Sequence, residues 1–271
     1  MAQIIPSAEP FFFLGDASKP AILLVHGFTS SPKEMRLLGE YLHQQGHTCL
    51  CLRNTGHGTQ PEDMIRSNYT DWIATVEDGY HVLRGITDNI FLAGLSMGGA
   101  LALLMSARLD VMGVAAMSTP YKLPDDRRLR HIELISKAVP FMPKGTGEPG
   151  LGWFDKQAWK EHISYPMNPV RSIGELNKLL GELRTALPEV KVPVLLIHSK
   201  DDVYVPPENM ESMFAGLVNA RTDMLGRLMV DRLHEPYRAI VYPEFPNMVA
   251  AAREAGAIGA CLSGAGSTIL A

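Results

Sequence analysis

Gly94-Leu95-Ser96-Met97-Gly98 decides how this chain is read, because it stands between an apolar strand-like run, Asn89 to Ala93, and a helix-like run, Gly99 to Arg108. A residue at a tight strand-to-helix turn adopts a strained backbone, and its neighbours at minus two and plus two must be small for the chain to pass. The hydroxyl then projects above the edge of a sheet, while the N-terminus of the following helix directs positive potential at any oxyanion formed there. Ser96 is the candidate nucleophile.

Four further runs are near-continuously apolar, as buried parallel strands are: Ala21 to Val25, Thr48 to Leu52, Gly113 to Met117 and Val192 to Ile197. Helical patterns lie between them. Ser31-Pro32-Lys33-Glu34 predicts an N-cap serine, a proline at the first helical position and a capping-box glutamate. Ile73, Val76, Tyr80 and Leu83 share one face of a second helix, and a third begins behind Ser96. This alternation predicts an α/β fold with a doubly wound, mostly parallel sheet, whose ligand crevice lies at the carboxyl ends of the strands. His26-Gly27, Ser96 and Asp201-Asp202 all fall at such ends.

Residues 120–190 break the rhythm with helical patterns and no good strand, interrupted by a Gly/Pro-rich stretch from Pro140 to Gly152. They read as an inserted helical cap. Its apolar residues Phe141, Met142, Trp153, Phe154 and Trp159 either line an acyl pocket or anchor the cap on the domain. After about residue 220 the character changes again: a helical pattern from Thr222 to Leu233, His234-Glu235-Pro236, a strand-like Ala239 to Tyr242, an alanine-rich helix from Pro246, and an apolar Ser267 to Ala271 of the kind that docks in a sheet.

The composition narrows the function classes. With 271 residues, 46% of them hydrophobic, the chain can bury a substantial core. A formal charge of −4 without a basic run provides no footprint for nucleic acid or an anionic membrane. No apolar stretch reaches the ~18 residues of a membrane span, and Met1 to Pro10 lacks a positive leader, so a cytoplasmic location is the expectation. The three cysteines form no C-x-x-C pair, and no zinc site or disulfide framework is expected.

A serine nucleophile needs a base within hydrogen-bond reach and a third group to orient that base. Nine histidines are available, but in the chain order nucleophile, acid, histidine only His234 follows an acid at the end of the Val192 to Ile197 strand. That acid is Asp201 or Asp202. The oxyanion donors are the Met97 amide, next after the nucleophile, and the Phe28 amide in the His26-Gly27-Phe28 loop. His26 itself reads as a residue that orients this loop, and Gly56-His57-Gly58 as either a rim of the crevice or a flexible turn. The implied chemistry is two-step acyl transfer on a small ester, with no metal or organic cofactor required.

The runs Leu24-Val25-His26-Gly27-Phe28-Thr29-Ser30-Ser31-Pro32, Gly56-His57-Gly58, Gly94 to Gly99 and Val194 to Asp202 together resemble the α/β-hydrolase carboxylesterases close to bacterial monoacylglycerol lipases. The resemblance covers residues 1 to about 220. It implies Ser96 as nucleophile, Asp202 as acid, Phe28 and Met97 as oxyanion donors, a helical cap at 120–190, and short to medium acyl esters or monoacylglycerols as substrates. That family would continue with another core strand and a Gly-His loop. Here no Gly-His dipeptide follows Asp202.

Instead, Asp231 to Arg238 and Gly259 to Thr268 resemble the carboxyl-terminal part of homoserine kinases, so the chain looks like a chimera joined near Ala220 and Arg221. Nothing in residues 1–220 matches an ATP-binding phosphate loop, and kinase activity is not expected. His234 lies 234 − 202 = 32 residues beyond Asp202, close to the hydrolase family's spacing. Two readings follow: a serine esterase with the triad Ser96, Asp202 and His234, or a hydrolase-fold ligand-binding protein with a broken triad. A tail without the sheet-completing order is expected to lower stability and leave an edge open to association.

Overall fold

The computed structural model describes residues 3–144, 153, 155–218, 245–254, 261–262 and 269–270. The chain divides into two compact units, residues 1–214 and 215–271.

The first unit is built on a six-stranded sheet. In chain order its elements begin with β1 (Phe11–Phe13), β2 (Ala21–Val25), α1 (Lys33–Gln44), β3 (Thr48–Cys51), α2 (Pro61–Ile65), α3 (Tyr69–Arg84), β4 (Ile90–Leu95), α4 (Met97–Ser106) and β5 (Gly113–Met117). They continue with α5 (Ile132–Ala138), β6 (Phe141–Pro143), α6 (Lys156–Glu161), β7 (Met167–Pro169), α7 (Val170–Ala186), β8 (Val194–Ile197) and α8 (Glu208–Val218), within which the two units divide. The strand order is β1-β3-β2-β4-β5-β8. All pairings from β3 to β8 are parallel, and β1 runs antiparallel to β3.

All five apolar runs form strands, two with unchanged ends and three with ends that shift by one or two residues. β1 was not anticipated: Phe11-Phe12-Phe13 is too short for its alternation to register, and the strand exists because it pairs with Cys49 to Cys51. Those cysteines are buried and free, since same-face neighbours on one strand point the same way instead of toward each other.

Side-chain alternation divides the core. Leu24 packs beneath α1 at Gly39, whereas Leu23 packs beneath α3 at Gly79. The α1 face gathers Phe11, Ile22, Leu24, Met35, Cys49, Cys51 and Ala93. On the other face α4 is buried along its whole length, because it lies against β4 and β5 with α3 and α7 packed on it. Such a helix has no polar face to present, hence Met97-Gly98-Gly99-Ala100-Leu101-Ala102-Leu103-Leu104-Met105.

Two expectations are corrected. The 120–190 stretch contains strands: β6 and β7 pair antiparallel, Phe141 with Pro169 and Pro143 with Met167. Each is only three residues long, below the length at which period-two patterning can be read. The capping box at Ser31 does not form either. α1 starts from Pro32 without a side-chain cap, the buried Ser31 hydroxyl has no hydrogen-bond partner among the described residues, and Glu34 turns away to the Gly27 amide and the Ser30 hydroxyl. The demand of those donors outweighs the local helix-end motif.

In the second unit, α9 (Phe245–Glu254) matches the expected alanine-rich helix. β9 (Cys261–Leu262) and β10 (Ile269–Leu270) pair antiparallel, which agrees with a strand at the apolar end. The expected helix at 222–233 and strand at 239–242 lie outside the described residues.

Among the described residues β8 pairs with β5 alone, and its Leu195 and Ile197 are 56% and 49% exposed. Leu23→Ala, at 1% exposure, is therefore expected to cost about 2–5 kcal/mol and Leu195→Ala less than about 1. Urea unfolding followed through the buried Trp72 measures both; equal losses would contradict this placement of the core.

Candidate active site

Register brings the candidate loops level. Val25 lies opposite Gly94, Leu95 opposite Met117, and Met117 opposite Ile197. Because these strands are parallel, the segments at His26-Gly27-Phe28, Ser96-Met97 and His198 to Asp202 all leave the same edge of the sheet.

Ser96 has φ 55° and ψ −120°, a conformation side chains avoid and one that stores about 1–3 kcal/mol of strain. Three hydrogen bonds over-determine it: the Ser96 amide donates to the Met117 carbonyl at 2.8 Å, and the Ser96 carbonyl accepts from Gly99 and Ala100 at 3.0 and 3.2 Å. A β-carbon at Gly94 would run into the Gly98 carbonyl, and one at Gly98 into the Val25 carbonyl. The small residues at minus two and plus two are thus a steric requirement. Ser96 is half-buried, while Met97 is fully buried at the first turn of α4.

The facing loop is strained as well. Thr29, next to Phe28, has φ 59°, and its hydroxyl donates to the Phe28 carbonyl at 2.6 Å. Residues beyond β6 hold this loop from the other side: the Tyr165 amide donates to the Thr29 carbonyl at 2.9 Å, the Ser30 hydroxyl to the Ile163 carbonyl at 3.3 Å, and Lys144 Nζ to the Thr29 and Ser164 hydroxyls.

Behind the loop, His26 is fully buried. Its Nδ1–H donates to the Gly27 carbonyl at 3.0 Å and its Nε2 accepts the Asn54 amide at 3.0 Å, which assigns a neutral tautomer and the orienting role expected from sequence. His57 is no flexible turn residue. It is fully buried among His26, Phe28 and Trp72, with ring centroids 5.1, 6.4 and 5.7 Å away, and Tyr165 pins its loop by donating to the Gly56 carbonyl at 2.7 Å.

Of the two candidate acids, Asp201 is exposed and Asp202 is held. Asp202 Oδ1 accepts the Tyr204 and Val205 amides at 2.9 and 2.8 Å. His198, with 2% of its side chain exposed, lies 3.6 Å from Asp202 Oδ2 and donates Nε2–H to the Val205 carbonyl at 2.7 Å. Sequence reasoning gave His198 no role; only the fold of the loop places it beside Asp202 and ties it to Val205. His234 lies outside the described residues, as does Phe154. Phe141, Met142, Trp153 and Trp159 are partly exposed, and Trp153 rests on His162 with centroids 5.0 Å apart. Among the described residues no cluster of side chains suits a metal ion, and no helix is long and apolar enough to cross a membrane.

A parallel sheet with a strained serine between β4 and a buried helix, faced by a loop from the neighbouring strand, defines an α/β-hydrolase. The chain belongs to the serine aminopeptidase, S33 family, whose model matches residues 16–224. A thermostable monoacylglycerol lipase of Bacillus sp. (strain H-257) is 31% identical over 228 residues, 82% of this chain and 85% of that one. A solved structure described with LipS and LipT, two metagenome-derived lipolytic enzymes, is 32% identical with a TM-score of 0.70, covering 79% of this chain and 85% of that one. Residues 213–271 match the GHMP kinases C terminal model. In that region a homoserine kinase of Moorella thermoacetica is 46% identical over 59 residues, only 20% of its own length. Both sequence resemblances hold, and the two family matches meet between residues 213 and 224.

Burial pushes His57 down to about 4 and His26 well below the usual histidine value. Both fold as neutral rings, so the stability they contribute is present above about pH 6.5 and is lost as pH falls toward 4. Between pH 7 and pH 5 the wild type is expected to lose melting temperature relative to His57→Gln, a difference that isolates the histidine from the opposite contribution of Glu34. A melting temperature that changes with pH in His57→Gln as it does in the wild type would contradict the neutral-histidine assignment.

Proposed function

We propose that the protein hydrolyses carboxylic esters, short to medium acyl esters or monoacylglycerols, through an acyl-enzyme on Ser96. The observation that carries this reading is the strained Ser96 backbone, with the Met97 amide at the first turn of α4 and the Phe28 amide on the adjoining strand's loop. Lipolytic relatives at 31 and 32% identity support the substrate class.

In the reaction Ser96 Oγ attacks the ester carbonyl carbon while His234 accepts the hydroxyl proton. Asp202 steadies the resulting imidazolium, and the Phe28 and Met97 amides donate to the tetrahedral oxyanion. Collapse breaks the bond to the alkoxy oxygen, which leaves as the alcohol with the proton from His234. Water then attacks the acyl-enzyme by the same route and releases the acid, regenerating Ser96. A substrate presenting an acyl chain would meet the apolar side chains of the 120–190 cap.

The match of residues 213–271 to a kinase segment favours one second reading. If the imidazole of His234 is not delivered to Ser96, the same crevice binds esters without turning them over efficiently.

A chromogenic butyrate ester separates the two. The first reading predicts turnover that Ser96→Ala lowers by at least about 10³-fold, with strong losses in Asp202→Asn and His234→Ala. Wild-type turnover in His234→Ala alone would show that another base serves Ser96. Turnover unchanged in Ser96→Ala would end the hydrolase reading.

A further inference from the structure

Glu34 has no part in the chemistry described above, yet its carboxyl and the nucleophile both lie against Gly27. A β-carbon built on Gly27 would stand 3.0 Å from Glu34 Oε1 and 3.3 Å from the Ser96 β-carbon, so the two side chains flank one α-carbon of the Phe28 loop. One carboxyl oxygen accepts the Gly27 amide and the other the Ser30 hydroxyl, the latter at 2.6 Å. Those two donors bracket Phe28 and the strained Thr29, and the Ser30 amide closes the turn onto the Gly27 carbonyl at 3.4 Å.

We propose that Glu34 is a positioning residue that holds Gly27 and Ser30 from behind and thereby fixes the Phe28 amide toward the oxyanion. Its catalytic consequence rests on the hydrolase reading. Glu34 reaches this position from the first turn of α1, where sequence alone suggests a helix cap.

The charge on this carboxyl is variable. Burial pushes it up to about 7, against the Ser30 and Gly27 hydrogen bonds and the positive charge of Lys144. Lys144 faces it from beyond β6 and is itself lowered to about 8 by burial. The Cys51 thiol faces it from β3, raised by its own burial and by Glu34. Arg36 on α1 lies over the Phe11 ring, and Lys33 on α1 neighbours His162 of the cap. Above pH 7 the anion lies behind an amide that must face a second negative charge and opposes it. Below pH 7 the neutral acid keeps an acceptor for Gly27 without that opposition. A raised carboxyl pKa also means stability that is full below about pH 4.5 and lost as pH rises through about 7.

The test uses the full chain with Glu34→Ala and Glu34→Gln, measuring butyrate-ester kcat and KM from pH 5.5 to 8.5 and hydrogen exchange across residues 26–31. Glu34→Ala is expected to lower kcat about 10- to 100-fold with KM little changed, and to speed exchange of the Gly27 and Ser30 amides. Glu34→Gln supplies the same acceptor without charge. It is expected to recover most of the loss at pH 6, to exceed the wild type above pH 7.5, and to gain melting temperature relative to it between pH 5 and pH 8. Wild-type kcat and exchange in Glu34→Ala, or no recovery in Glu34→Gln, would overturn the proposal. Failure of the hydrolase reading is seen separately, as turnover that survives Ser96→Ala; exchange across 26–31 still decides the role of Glu34.

Discussion

Everything at the candidate site depends on one steric constraint: β4 must turn into α4 within a single residue while the carbonyl ends of β2 press against the turn. At φ 55° Ser96 lies where only a dense surround can hold it, and the Gly98 α-carbon touches the Val25 backbone too closely for any side chain. That contact also sets the distance between the Ser96 turn and the loop that follows β2. The pairing of donor loop and nucleophile is thus a consequence of sheet order, since β2 and β4 are neighbours.

The same crowding explains the polar structure behind the site. A strained loop at Gly27 to Ser30 needs partners for its amides, carbonyls and hydroxyls, and a buried polar group without one costs about 1–3 kcal/mol. His26, Glu34, Lys144 and Tyr165 meet that need from four different parts of the chain. Two of these, Lys144 and Tyr165, come from the stretch inserted after β5, so hydrogen bonds tie that stretch directly to the Phe28 loop.

Much of this was legible in the sequence. Period and run length identified five strands because each is a near-continuously apolar run bounded by polar turns, and G-x-S-x-G identified the elbow because its glycines have a local steric cause. The features that escaped notice have distant causes. Phe11 to Phe13 is a strand only through β3, and Phe141 to Pro143 only through Met167 to Pro169. Glu34 reads as a capping box because its real partners, Gly27 and Ser30, belong to a preceding loop whose strain no propensity records. His198 likewise acquires meaning only when its loop folds back to bring Asp202 beside it. At the carboxyl end the sequence carries two incompatible family signatures, and local pattern cannot say what a kinase segment does when joined to a hydrolase sheet.

The most direct measurement is a crystal structure of the protein reacted with a fluorophosphonate, whose tetrahedral phosphorus mimics the first intermediate. The account predicts a single covalent bond to Ser96 Oγ, with the phosphonyl oxygen at about 2.7–3.1 Å from the amide nitrogens of both Phe28 and Met97. An adduct on any other residue, or a phosphonyl oxygen turned away from those two amides, would contradict it.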